Sequence, residues 1–272
     1  MVALVLGGCR GPEQFAAPAP AGALDCALRE AEEIGYRKLE GRDGSGMVLV
    51  GRYLPPPPAR EPMDGRYVRL EPLDPAKHGD QLYAASSIVD ADERFRWLFE
   101  PPPESREAFQ PWLEKSAASQ DPLFFAVIDK ASGKVAGRQT LMRIEPAHGV
   151  IETGNIYWGP LVARKPAATE AHFLFCKHVF DDLGYRRFEW KCNALNEPSR
   201  RAALRFGFSF EGVFRQHLVV RGANRDTAWY SILDSEWPRA KQAFEEWLDP
   251  SNFDGEGRQK RRLEDIRAGL PE

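Results

Sequence analysis

Residues 183–208 read LGYRRFEWKCNALNEPSRRAALRFGF, and this stretch decides the fold. Gly184 is placed to end a helix, because glycine takes the left-handed conformation that closes a last turn. Residues 186–194 then alternate, with Phe188, Trp190, Cys192 and Ala194 on one face and Arg187, Glu189, Lys191 and Asn193 on the other. That period of two predicts a half-buried strand. Asn196 is a good N-cap for a following helix, and Pro198 sits in its first turn, where a missing N–H costs little. Ser199, Ala202, Ala203 and Phe206 share one helical face before Gly207 stops the helix.

Working outward, residues 66–71 alternate as a first strand, and residues 77–87 supply a helix. Residues 93–100 are apolar and aromatic and stop at Pro101. Residues 105–118 form a second helix. Two β-rich runs, 124–129 and 135–144, flank a Ser-Gly turn and predict a hairpin. Residues 150–158 are the next strand, halted at Gly159-Pro160 because proline cannot donate to a ladder. A helix over 167–183 precedes the deciding stretch. Residues 216–220 and 229–233 predict a closing strand pair joined by 221–226, with Arg225 and Asp226 expected to hold it by an ion pair. A helix from Pro238 puts Ala240, Phe244, Trp247 and Leu248 inward. From 249 the composition turns polar, and an exposed helix or a disordered tail is expected.

Strand, N-x-x-S and a short helix ending in Gly-Phe resemble the second half of a GNAT acyltransferase. Arg186-Arg187, residues 196–201, residues 205–208, Glu211-Gly212 and Arg225-Asp226 resemble in particular the ribosomal-protein N-acetyltransferase (RimJ/RimL-like) branch. The resemblance covers roughly residues 63–248. It implies an α+β, three-layer fold with a central mixed, mostly antiparallel sheet flanked by helices. It also implies acetyl-CoA as donor co-substrate, an amine acceptor, no metal, and an assembly that includes a homodimer among its options.

The same resemblance implies site residues. Leu161 and Val162 would line the pantetheine arm in a gap between the strands 150–158 and 186–194. The loop Arg164, Lys165, Ala167, Ala168 and Thr169 would cradle the pyrophosphate at a helix start. Both glycines of the family's Q/R-x-x-G-x-G/A loop are absent there, and Pro166 removes a donor. Asn196 would join the donor site. The tyrosine that many members use as proton donor falls on Ala203, so Ser199, the usual candidate of this branch, becomes the expected catalytic acid. Trp97, Glu152, Trp158 and Glu211 are expected around the acceptor, with Glu152, Glu211 and His217 as general-base candidates. Succinyl-CoA in place of acetyl-CoA, and a non-catalytic CoA-binding module, are the alternatives.

The bulk properties are those of an ordinary soluble globular protein. A formal net charge of -3 argues against nucleic acid held by bulk charge. No apolar run is long enough for a membrane span, which needs about 18 residues. Cys9, Cys26, Cys176 and Cys192 form no C-x-x-C pair, so the expectation is reduced thiols in the cytoplasm. Residues 1–62 read as an extension of uncertain structure. A short apolar run before Gly7-Gly8-Cys9 lacks the basic start and length of a lipoprotein signal. Residues 24–34 suggest a helix, 47–54 a strand, and Pro55–Pro58 a stiff linker. The segment is either a small appendage or the product of an over-long start, with Met63 as the alternative beginning.

Overall fold

The computed structural model describes residues 55–271. The helix and strand expected within residues 24–54, and Cys9 and Cys26, lie outside the described residues. Pro55–Pro58 carries no helix or strand.

Eight strands make one sheet in the order β1-β2-β3-β4-β5-β6-β8-β7. They are β1 Met63–Asp64, β2 Val68–Pro72, β3 Leu123–Asp129, β4 Lys134–Glu145, β5 Val150–Trp158, β6 Arg187–Asn193, β7 Ser209–Val220 and β8 Ala223–Leu233. Every neighbouring pair is antiparallel except β5 and β6, which run parallel. The helices are α1 Pro75–Ser86, α2 Ala91–Phe95, α3 Arg106–Ala118, α4 Pro166–Lys177, α5 Glu197–Phe206, α6 Trp237–Leu248 and α7 Leu263–Ala268. After α4 the chain widens into a π turn, His178–Asp182.

Alternation along β3 explains the three layers. Leu123, Phe125 and Val127 join the core under α4, α6 and α7, whereas Phe124 and Ala126 join the smaller core under α1 and α3. Capping follows the sequence. Asp74 accepts the N–H groups of Ala76 and Lys77, Ser105 accepts that of Ala108, and Asn196 accepts that of Ser199. Gly207 closes α5 at φ 99. The buried Glu170 carboxylate accepts the backbone N–H groups of Arg66, Tyr67 and Val68, which ties α4 to the turn before β2.

Three expectations are corrected. First, β6 is buried on both faces: Phe188, Trp190 and Cys192 enter the core, and Glu189 and Lys191 are enclosed in ion pairs. Second, the last hairpin turns at Arg221-Gly222, both at positive φ, so its strands are longer than read. Arg225 and Asp226 do not pair; Asp226 accepts the Gln216 N–H and the Asn224 amide instead. Third, residues beyond 248 are neither disordered nor a free helix. Leu263 and Ile266 of α7 are buried in the main core, and Arg267 donates to the carbonyls of Leu204 and Arg205 at the end of α5.

Candidate functional site

The site arises where β5 and β6 part. Their parallel pairing runs from Val150↔Arg187 to Thr153↔Trp190 and stops, although β5 continues to Trp158 and β6 to Asn193. The cause is a bulge rather than Pro160. Asn155 stands at φ 47, and the β4–β5 register slips between Arg138 and Thr140. Arg138 pins the bulge: its guanidinium donates to the Asn155 carbonyl at 2.7 Å, pairs with Glu100, and lies over the Trp112 ring at 4.6 Å. Burial pulls its pKa down from the ordinary arginine range to about 9. β5 thus departs from β6 at a fixed place, and a wedge opens between them.

Two clefts open from this wedge. One, of about 810 Å³, is lined by Trp97, Leu98, Phe99, Glu152, Thr153, Lys191, Ser199 and Arg225 among others. The other, of about 980 Å³, is lined by Trp158, Lys165, Ala168, Thr169, Arg201, Arg205, Trp247 and Arg258 among others. Arg94, Ile156, Ala163, Arg164 and Pro198 border both, so the clefts meet beside the splayed strands.

The second cleft suits a polyphosphate. α4 begins there with no side-chain cap at Lys165, so its first N–H groups are not taken by a capping side chain. Arg164 holds φ 62 in the turn that precedes them. Ala167 faces the core, where its methyl packs rather than blocking the cleft, and Ala168 lines the wall. A loop without glycines therefore keeps an open helix start. Arg205 donates to the Thr169 hydroxyl at 3.0 Å and lies over Trp247 at 4.7 Å. Burial lowers its pKa, the mark of a cation withheld from water. Arg201 and Arg205 entered the sequence reading only as part of the family pattern, and the segment around Phe253 and Arg258 only as a polar tail, because helix and tail arginines usually face solvent.

Ser199 reaches the first cleft from the first turn of α5. The Trp190 indole N–H donates to its Oγ at 3.0 Å. An indole nitrogen is only a donor, so the serine proton is left free to point elsewhere. Ser199 also interacts with Cys192, whose thiol burial pushes up. That keeps the cysteine protonated near neutral pH and unsuited to be a nucleophile.

The remaining expected residues divide. Trp97, Glu152, Asn196 and Ser199 line the first cleft. Trp158, expected at the acceptor, lines the second. Val162 is fully buried in the core and Leu161 is exposed, and neither borders a cleft. Glu211 lies outside both clefts and is gripped by Arg187 and the Ser231 hydroxyl. Arg187 first, then Ser231, hold its carboxyl below the ordinary range despite desolvation. Glu152 is enclosed by Arg143 at 2.6 Å and Lys191 at 2.8 Å, so its oxygens are already committed. His217 bonds Thr227 and is held below 6.5 by burial and by Arg143, Arg225 and Lys191. Among the described residues no group of three or more His, Cys, Asp or Glu side chains is arranged to hold a metal, and no helix is long and apolar enough to cross a membrane.

A sheet splayed at a bulge, with a phosphate-ready helix start on one side and a walled cavity on the other, defines an acyltransferase. Comparison with known proteins places it further. The acetyltransferase (GNAT) domain family matches residues 68–209, and the chain belongs to that family. A GCN5-related N-acetyltransferase from Brucella melitensis is 66% identical, with a TM-score of 0.79 over 79% of this chain and 98% of that one. A Bacillus subtilis (strain 168) protein named "Putative ribosomal N-acetyltransferase YdaF" is 27% identical over 64% of this chain and 96% of its own length. The microcin C7 self immunity acetyltransferase MccE, solved with acetyl-CoA and AMP, shares the fold at 22% identity and a TM-score of 0.56, over 62% of this chain and 93% of its own. Members of the family use acetyl-CoA.

Proposed function

We propose that this enzyme transfers an acetyl group from acetyl-CoA to a primary amine by direct attack, in the manner of the RimJ/RimL-like branch. The observation that carries the reading is the meeting of the two clefts at the β5–β6 splay, with Ser199 on the acceptor side of the junction. When bound, acetyl-CoA supplies the thioester: a C–N bond forms, the C–S bond breaks, one proton leaves the nitrogen and one reaches the sulfur. Arg164, Lys165, Arg205 and the α4 start hold the diphosphate. Groups of the unpaired β5 backbone beside the bulge orient the arm that enters the wedge. Ser199 gives the proton to the departing sulfur and is reprotonated by the cleft water that takes up the amine's proton. Its acidity is raised by the Trp190 N–H, which stabilises negative charge on Oγ. Holding amine and thioester in one junction removes most of the entropic barrier.

With Glu152 and Glu211 already tied in ion pairs, neither takes the amine proton, and water in the open first cleft receives it. The acceptor is a protein N-terminus or a small amine. The buried, unpaired thiols of Cys176 and Cys192 suit a cytoplasmic location.

Calorimetric titration of the full chain with acetyl-CoA, succinyl-CoA and free CoA tests the donor. Acetyl-CoA is expected to bind, and Arg205→Ala to weaken it at least about tenfold, since a desolvated charge pair is worth roughly 2 kcal/mol or more. Binding of succinyl-CoA alone would reassign the donor, and binding of none would leave a GNAT-like module without this activity.

A further inference from the structure

The face of the sheet that floors the first cleft carries a ladder of charges that balance. Arg143 pairs with Glu152, Glu152 with Lys191, Lys191 with Glu189, Glu189 with Arg187, and Arg187 with Glu211. Three cations meet three carboxylates, and each is used. Arg225 stands on the same face. β8 pairs with β6 through Lys191↔Trp229 and Asn193↔Thr227, and Arg225 is two residues on from Thr227.

Arg225 has no share in the ladder. Its residue is 8% exposed, and its Nε is buried without a partner. Among the described residues its guanidinium makes no hydrogen bond or ion pair. It lies over the Phe99 ring at 5.2 Å and lines the acceptor cavity. The neighbours cannot neutralise it. Glu152 is held by Arg143 and Lys191, the Cys192 thiol stays protonated, and His217 stays neutral. The hairpin tip at Arg221 donates to the Arg96 carbonyl at 2.6 Å and so ties β7–β8 to the aromatic wall 97–99. A buried, unpaired guanidinium facing a cavity is costly unless an anion comes to it.

Resting on the acyltransferase reading above, we infer that the acceptor amine carries a carboxylate, and that Arg225 receives it. A carboxylate fits better than a phosphate. It brings one negative charge to this buried, unpaired cation, and the planar guanidinium matches it with two parallel N–H···O bonds. A phosphate monoester brings nearly two charges and more acceptor oxygens than this single fork can serve. The carboxylate has two sources: the α-carboxylate of a free amino acid, or the side chain of an acidic residue near a peptide N-terminus.

The test measures acetylation by the full chain at saturating acetyl-CoA, with amines supplied in matched pairs. The first arm is the free amino acids and their carboxamides. The second is short peptides beginning with Asp or Glu against the same peptides with Asn or Gln. Phosphoethanolamine is the phosphate arm. At least one carboxylate amine is expected to exceed its uncharged partner by about thirtyfold or more in kcat/KM, mainly through KM, the scale of a desolvated charge pair. Arg225→Met is expected to bring that acid down to its partner's value, and Arg225→Lys to recover part of the difference. The arm that responds names the source. Equal rates within every pair, a preference for phosphoethanolamine, or a preference that survives Arg225→Met would overturn the inference while leaving acyl transfer standing. If no amine is acetylated, acyl transfer itself fails. Calorimetric titration of the CoA-saturated chain with the same pairs then decides the anion site: carboxylate binding lost in Arg225→Met sustains it, and no difference between pair members removes it.

Discussion

Replacing Ser199 by alanine separates chemistry from structure, because the hydroxyl has two consequences of different size. Its Oγ accepts the Trp190 indole N–H at 3.0 Å, and Trp190 is only 5% exposed. Losing that acceptor leaves a buried donor unsatisfied, at roughly 1–3 kcal/mol. For a domain of this size each kcal/mol moves Tm by about 2–4 °C, so a fall of about 2–12 °C is expected. The helix cap itself survives, because Asn196 accepts the backbone N–H of residue 199 rather than its hydroxyl. The chemical loss is larger: a positioned proton donor contributes about 10²–10⁴ in rate. Ser199→Ala should therefore lower kcat at least about a hundredfold by that criterion, with acetyl-CoA affinity kept, since Ser199 does not line the donor cleft. CoA-thiol release under acetyl-CoA saturation reads kcat, and calorimetry reads affinity. The double variant Ser199→Ala/Trp190→Phe removes the orphaned N–H, so Tm should recover while kcat stays low. If kcat recovers together with Tm, or falls less than about threefold in the single variant, the proton-donor role is wrong.

Two further outcomes test the interior. Lys191→Met leaves Glu152 and Glu189 facing each other with only their arginines, and Lys191 is itself about 5% exposed at its side chain. Breaking a buried pair costs about 3–5 kcal/mol, so a Tm loss of about 6–20 °C is expected by differential scanning calorimetry, and a loss under about 2 °C would contradict the ladder. His172, stacked on Phe206 at 4.5 Å, has its pKa lowered to about 3 by burial and then by Arg205. Its folded value lies below the ordinary 6.5, so the unfolded chain takes up the proton first. Stability is whole above pH 6.5 and declines as pH falls toward 3, by up to about 4–5 kcal/mol. His172→Phe, which keeps the stack, should flatten that limb of the urea-denaturation profile; an unchanged slope would assign the acid sensitivity elsewhere.

Much of the fold was legible because local rules agreed with it. The strand at 150–158, the caps at Asp74, Ser105 and Asn196, and the stop at Gly207 follow from period, side-chain acceptors and left-handed glycine. The deciding stretch also placed Ser199 at the start of α5. What misled was polarity taken as exposure. The alternation of Arg187, Glu189 and Lys191 reads as a wet face, yet these side chains close a ladder with partners from β4, β5 and β7. The charged tail reads as solvated, yet Leu263 and Ile266 anchor it.

The sequence by itself determined the element order, the family and the catalytic serine candidate, since each depends on residues near one another in the chain. Only the tertiary structure decided where β5 leaves β6, because the bulge is held by Arg138 from another strand and by Glu100 from a distant loop. Only it decided that Glu152 is spent in ion pairs and that Arg225 is not. Whether a charge is paired depends on which distant side chains reach it, and no local pattern encodes that distance.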